Sequence, residues 1–475
     1  MTAAFKHALL GLLALPMAAC AVGPDYRKPD FALTPTYVTP TPVNAARPAS
    51  LDAWWEGFGD PELVRVVERA TAANLDLAQA LARVQQSRAV AKAAGAALAP
   101  QASATASVAD VQQSLLSPIG EIGSHLPGFQ RDYDDYGLGL AANWQIDVSG
   151  GLRRSRDAAL ADARATADQA VAVRLTVAAD AADAYLQVRA YQARIAVAQR
   201  QESVQTDLVD LLTRRTKDGV TADRELHEAQ AALEGVRATI PPLQAGLAAE
   251  LNRLDVLMGA QPGTYRAELA TDMAIPSPPG LTAGDGPADL LRRRPDVLAA
   301  EQRLIASNAR IGAAISDYYP KVSITGLLGL DSLDATRLFS GLAVAHQVGA
   351  GLSWRLFDFG RVDAEVAQAR GADAEALAAY RATVLNATEE VEDSFSSLIQ
   401  DEAQADALTR QIDQLTVARA QAEQAYQGGV DSLIEVRDAD RDLLAASDQL
   451  VQARAGAARA AVASFRALGG GWRPI

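Results

Sequence analysis

The sequence predicts a mainly helical chain with a β-barrel portion, made of two copies of a long helical hairpin and four strands of membrane-spanning length. Three observations predict it. First, the chain is written twice: Gly139, Trp144, Asp183, Tyr185 and Gly219-Val220 return 210 residues later as Gly349, Trp354, Asp393, Phe395 and Gly429-Val430. An earlier set, including Asp76, Arg83, Pro100, Ser103 and Thr105, returns 220 residues later as Asp296, Arg303, Pro320, Ser323 and Thr325. The ten-residue difference arises between Pro100 and Gly139, so the first copy carries a longer loop there. A unit this long is not a solenoid repeat and reads as two fused copies of one large unit. Second, each copy holds a run of 67 residues with helical periodicity. Third, each run is preceded by segments that alternate with a period of two.

Residues 1–19 read as a secretory signal, with Lys6 and His7 as a weak basic region, Ala8 to Leu15 as the apolar stretch and small residues before Cys20. That stretch is too short to cross a bilayer as a helix. Cys20 is the only cysteine, so no internal disulfide can form, and the residue is either a free thiol or a modified one. Residues 20–50 are rich in Pro and Thr and read as an extended tail.

The first repeat covers 51–280 and the second 281–475. Trp54-Trp55 and Asp60-Pro61 open helical patterns that run to about Ala99. Strands follow at about 101–110 and 134–147, separated by a loop from Val111 to Arg131 that contains Pro118 and Pro127. A helical hairpin then spans 152–257. Between Leu152 and Asp218 there is neither Gly nor Pro, and apolar residues such as Val171, Leu175, Ala178, Ala182 and Tyr185 step by fours and threes. That spacing makes a coiled-coil seam, on a helix of about 100 Å. The hairpin turns at Gly219-Val220, and Pro241-Pro242 should kink its return helix. The second repeat places a helix, strands at about 321–331 and 346–357, and a hairpin over 361–467 that turns at Gly429-Val430.

In the strands most even-numbered positions are apolar. Val322, Ile324, Gly326, Leu328 and Leu330 alternate with Ser323, Thr325, Leu327 and Gly329, and Tyr136, Leu138, Leu140, Ala142 and Trp144 alternate with Gly137, Gly139, Ala141 and Asn143. Strands of about ten residues with one apolar face suit a lipid-facing barrel. Trp144 and Trp354 fall at equivalent strand ends, where an interfacial aromatic girdle would lie. A soluble hairpin packed on helices is the alternative. Four strands do not close a barrel, and an open edge cannot face lipid, so several chains must share one barrel. The long helical seams ask for neighbours in the same way, which together points to a symmetric oligomer.

The chain has 44 basic and 58 acidic residues, a net charge of −14, which argues against nucleic acid as a partner. Its four histidines, His7, His125, His227 and His346, have no metal-ligand spacing, and no Gly-rich phosphate loop precedes a helix. No metal site or cofactor is expected. The carboxylates lie on charged helix faces and read as solvated or lumenal, and the chain is not expected to be an enzyme.

Six stretches, in order, carry a family resemblance: Cys20-Ala-Val-Gly-Pro-Asp-Tyr26; Trp54-Trp55 with Asp60-Pro61-Glu-Leu63; Arg293-Arg294-Pro295-Asp296-Val297; Phe357-Asp358-Phe359-Gly360-Arg361; Tyr426-Gln-Gly-Gly-Val430; and Leu468-Gly-Gly-Gly-Trp472. With the duplicated hairpins, they make the chain resemble the TolC-like outer-membrane factors, in the lipoprotein branch (OprM-like) of resistance-nodulation-division efflux systems. The resemblance implies one intertwined channel domain. It implies a homotrimer with a twelve-stranded β-barrel and an α-helical barrel of twelve columns, docked on a periplasmic adaptor and an inner-membrane pump. Cys20 after Ala-Ala resembles a bacterial lipobox, with Met17 where Leu is usual, and implies a covalent lipid such as palmitate. By the same resemblance Ala21, rather than Asp, implies the outer membrane over inner-membrane retention.

The resemblance also implies a periplasmic gate just after the second turn, with Ile434 at the apolar position and Asp438 at the acidic one. The two share a helix face one turn apart. The plainer reading keeps Ile434 as seam packing and Asp438 as a solvated charge. The 210-residue offset offers Arg224 and Glu228 as weaker candidates, in a charge network holding the tip. Two other functions stay open: a type I protein-secretion exit duct, which the lipobox and the Leu-Gly-Gly-Gly-Trp end disfavour, and a structural coiled-coil periplasmic lipoprotein without a pore.

Overall fold

The computed structural model describes residues 21–40, 49–220, 222–271, 273–281 and 286–472. The expected signal segment and Cys20 lie outside the described residues. The long helices are α1 (Pro61–Ala73), α2 (Leu75–Ala96), α3 (Gly151–Lys217), α4 (Asp223–Leu257), α5 (Pro295–Ile315), α6 (Arg361–Gln427) and α7 (Leu433–Ala467). Both 67-residue helices fall where the unbroken periodicity placed them. The expected kink site does not end α4, which runs through Pro241 and Pro242. No described helix is long and apolar enough to cross a membrane.

The chain forms two compact units. One takes Gln85–Arg164 and Glu301–Ala378 together with the tail as far as Pro29; the other takes Asp30–Val84, Ala165–Ala300 and the chain from Ala379 onward. Each draws on both repeats, so the units cut across the division at 280 rather than along it.

The first unit carries the strands: β1 (Gln101–Gln112), β2 (Asp132–Ile146), β3 (Lys321–Ser332) and β4 (Val344–Ser353). They form one antiparallel sheet in the order β1-β2-β3-β4, so β1 and β4 are free edges and the β2–β3 pair joins the two repeats. The register aligns the apolar positions across all four strands. Leu140 opposes Ala104 on one side and Leu328 on the other, and Ile324 opposes Trp144 and Ala350. The opposite face carries Ser103, Ala141, Leu327 and Gln347. Leu140, Leu328, Val348 and Leu352 are exposed on their face.

Two sequence expectations need correction here. The fourth strand ends at Ser353, not at 357, so Trp354 lies beyond it. Ser353 pairs with Lys321, the first residue of β3, and Pro320 before it has no N–H to extend the ladder. The expected loop from Val111 is also shorter, because β1 runs to Gln112, and it contains a helical segment, Pro118–Ser124.

The strands hand over to the long helices through matching caps. Asp147 accepts from the N–H groups of Leu152 (3.0 Å) and Arg153 (2.9 Å), and Asp358, one residue off the 210 offset, accepts from those of Gly360 (3.2 Å) and Val362 (2.9 Å). A carboxylate here satisfies orphan donors and complements the positive helix end.

In the second unit the sequence motifs converge. Trp54 stacks on Phe465 with centroids 5.6 Å apart. A Cβ at Gly470 would lie 2.8 Å from the Phe465 carbonyl oxygen and 2.9 Å from that of Leu51, which explains the glycine. The Trp472 indole donates to the Arg293 carbonyl at 3.2 Å. Arg294 is buried and donates to Asp296 (3.0 Å), Glu390 (2.7 Å) and the Ala467 carbonyl (3.1 Å).

Asp60 caps α1 through the N–H groups of Glu62 (2.9 Å) and Leu63 (3.3 Å), while its other oxygen accepts from the Tyr185 hydroxyl at 2.6 Å. Burial, reinforced by that bond, pushes the Tyr185 hydroxyl pKa up. Asp60, Asp255 and Asp440 are all buried, so these carboxylates are structural, contrary to the expectation that such groups are solvated or lumenal.

Asp60→Ala removes a cap and strands a buried hydroxyl, and should cost about 2–4 kcal/mol. Denaturant unfolding followed by circular dichroism would measure it, and Asp60→Asn should retain most of the stability.

Candidate functional site

Both hairpin turns close by the same hydrogen bonds. At the first, Gly219 N–H donates to the Thr216 carbonyl (3.0 Å) and Val220 N–H to that of Arg215 (2.9 Å). At the second, Gly429 donates to Tyr426 (3.1 Å) and Val430 to Ala425 (2.9 Å). Bonds reaching three and five residues back define a Schellman motif, which puts the first of the two residues in the left-handed region. Gly219 and Gly429 sit there at φ 71° and 69°. The duplicated Gly-Val is therefore a helix stop followed by an exposed Val.

Beneath the turns lies one apolar cluster drawn from all four helices. Leu212 of α3, Ala229 of α4 and Leu433 of α7 are buried together, with Tyr426 of α6 packed on them. On α7, Leu433, Val436 and Asp440 point inward. Ile434 is half exposed and Asp438 is about half exposed, both on a different face. Ile434 therefore does not pack in the seam of its own chain. Asp438 lies 3.3 Å from Arg441, in a pair open to solvent.

Around this core polar contacts tie the helices together, those of Arg437 and Arg215 across the two repeats. Arg437 of α7 donates to Glu228 of α4 at 3.0 Å. Arg224 is more distant, 4.0 Å from Glu228, and largely exposed. The Arg215 guanidinium donates to the Tyr426 hydroxyl at 2.7 Å and lies over its ring. Arg419 holds the buried Asp440 at 3.0 Å.

Sequence reasoning placed Glu228 in a charge network but missed Arg437, Arg215 and Arg419. Arg437 falls opposite His227 under the 210 offset, so comparing the copies gave no signal for it. Tyr426 was legible as the first residue of its motif.

In the first unit the two tryptophans are held alike. Trp144 Nε1–H donates to the Leu98 carbonyl at 3.0 Å, and Trp354 Nε1–H to the Tyr318 carbonyl at 2.9 Å. The donors are 210 residues apart and the acceptors 220, so the repeat preserves the bond itself. Phe357 and Phe359 stand exposed beside Trp354 in sequence, Phe359 at φ 54°. In the sequence they stand only within the motif Phe357-Asp358-Phe359-Gly360-Arg361. Among the described residues no group of His, Cys, Asp and Glu is arranged to hold a metal ion.

Comparison with known proteins matches this architecture. The model of the family described as "Outer membrane efflux protein" matches residues 66–260 and 286–470, one block in each repeat. The pyoverdine export outer membrane protein OpmQ of Pseudomonas putida is 29% identical over 472 residues, covering 98% of each chain. Its counterpart in Pseudomonas aeruginosa is 30% identical, covering 88% of this chain and 87% of that one. The solved outer-membrane channel OprN aligns with a TM-score of 0.85 at 32% identity, over 95% of this chain and 100% of its own. The chain belongs to the outer membrane efflux protein family, as a TolC-like channel protein of the outer membrane.

Proposed function

We propose that three copies of this chain close one twelve-stranded barrel and form the passive exit duct of a tripartite efflux system. In this reading a periplasmic adaptor and an inner-membrane resistance-nodulation-division pump deliver small molecules to it. The observation that supports it most is the four-stranded sheet with one apolar face and two unpaired edges. The exposed Val220 and Val430 at the turns offer the adaptor an apolar foothold. A lipid on Cys20 would anchor the N-terminus, while Trp144, Trp354, Phe357 and Phe359 would sit at the membrane interface.

Ile434 and Asp438 are the proposed gate. Three Ile434 side chains around the axis make a dewetting constriction. Three carboxylates roughly 6 Å apart repel by about 0.7 kcal/mol per pair in water and about 3 kcal/mol at an effective dielectric of 20. The exposed Arg441 offsets part of that charge. Closure therefore depends on the Ile434 ring and on the Arg437–Glu228 tie between repeats, with Asp438 tuning cation passage.

Single-channel conductance in a planar bilayer tests this. The unmodified protein should conduct weakly and Ile434→Ser with Asp438→Ser strongly; equal, large conductance in both would discard these gate residues. Glu228→Gln removes one partly exposed pair worth up to about 1 kcal/mol, so open probability should rise roughly two- to fivefold. No change would show that the pair does not hold the tip.

A further inference from the structure

The connections β1–β2 and β3–β4 leave the sheet at the same end, because the meander is antiparallel and the β2–β3 crossover uses the other end. The β1–β2 connection is firmly built. Gln113 N–H extends the ladder to the Arg131 carbonyl at 2.7 Å, and the Ser117 hydroxyl accepts from Gly120 N–H at 3.2 Å. A Cβ at Gly120 would collide with the Ser114 carbonyl oxygen, and one at Gly123 with the Phe129 ring. This packing holds Leu116, Ile119 and Ile122 out in the open, with Leu116 96% exposed. The β3–β4 connection does the same with Phe339 and Leu342, the latter 99% exposed. Apolar side chains fixed outward on an ordered loop mark a surface that something covers.

The geometry points to a second copy of this chain as that cover. The inference rests on the shared-barrel reading: β1 of one copy must pair with β4 of the next. That pairing sets the β1–β2 connection of one copy beside the β3–β4 connection of its neighbour, at one rim. Leu116, Ile119 and Ile122 then pack on the neighbour's Phe339 and Leu342, in an apolar cuff that clamps the barrel mouth at each interface. The free strand edges and the free loop residues flank the same two strands, so one partner satisfies both.

Cysteine pairs test the cuff in the full-length protein in its membrane. Leu116→Cys with Leu342→Cys, treated with a short bismaleimide, should give dimer and trimer bands on a denaturing gel, several-fold above either single variant. The single variants control for Cys20. Ile122→Cys with Phe339→Cys serves as a second pair should one variant fail to assemble. A particle of three chains without interchain product would overturn the cuff while leaving the shared barrel standing. So would product confined within one chain, or a fluorophore on Leu116→Cys that reports lipid contact. A particle of one chain would overturn the shared barrel and the cuff with it.

Discussion

The backbone at the two free strand edges constrains everything else in this protein. In β1, alternate residues turn N–H and C=O away from β2, leaving roughly ten polar groups with no partner among the described residues. Each such group costs several kcal/mol in hydrocarbon. The total, tens of kcal/mol, exceeds the roughly 5–15 kcal/mol that stabilises a typical domain. A single chain therefore cannot place this sheet in a membrane, whatever its apolar face contributes. The long helices do not add to this constraint: contrary to the expectation that their seams need neighbouring chains, Leu175, Ala178, Ala182 and Tyr185 of one and Tyr380, Val384, Ala387, Val391, Phe395 and Leu398 of the other are buried within a single chain.

Duplication supplies parts that work in pairs, and the structure shows which parts were kept. The turns keep their Schellman bonds, the long helices their aspartate caps, and the tryptophans their carbonyl partners. All of these stop, start or anchor an element, and they depend on local backbone geometry that both copies share. The copies diverge where they meet each other. Under the 210-residue offset Ile434 and Asp438 correspond to Arg224 and Glu228, and Arg437 reaches Glu228 across the divide. The Arg437–Glu228 tie has no reciprocal in the other copy, because the offset sets His227 opposite Arg437.

The same distinction explains what could be read from the sequence. The hairpins and strands were legible because periodicity and Gly-Val stops are local, and the strand register follows from the apolar alternation once pairing is antiparallel. The early end of β4 was missed because it depends on its partner, Pro320, rather than on β4 itself. The helical segment at Pro118–Ser124 was hidden by its glycines, which serve close packing against Ser114 and Phe129. Asp60 and Asp440 looked like ordinary surface charges, and only their contacts with Tyr185 and Arg419 show otherwise. At the tip, the same-face spacing of Ile434 and Asp438 was readable, but the roles of Arg437, Arg215 and Arg419 were not.

The central claim is that no single chain can close this barrel. The most direct test is the particle mass of the full-length protein in mild detergent, by light scattering with the detergent contribution subtracted. Three chains per particle, each of 49.9 kDa for the full sequence, is the predicted result. A stable single-chain particle that still inserts into a bilayer and conducts would contradict the account.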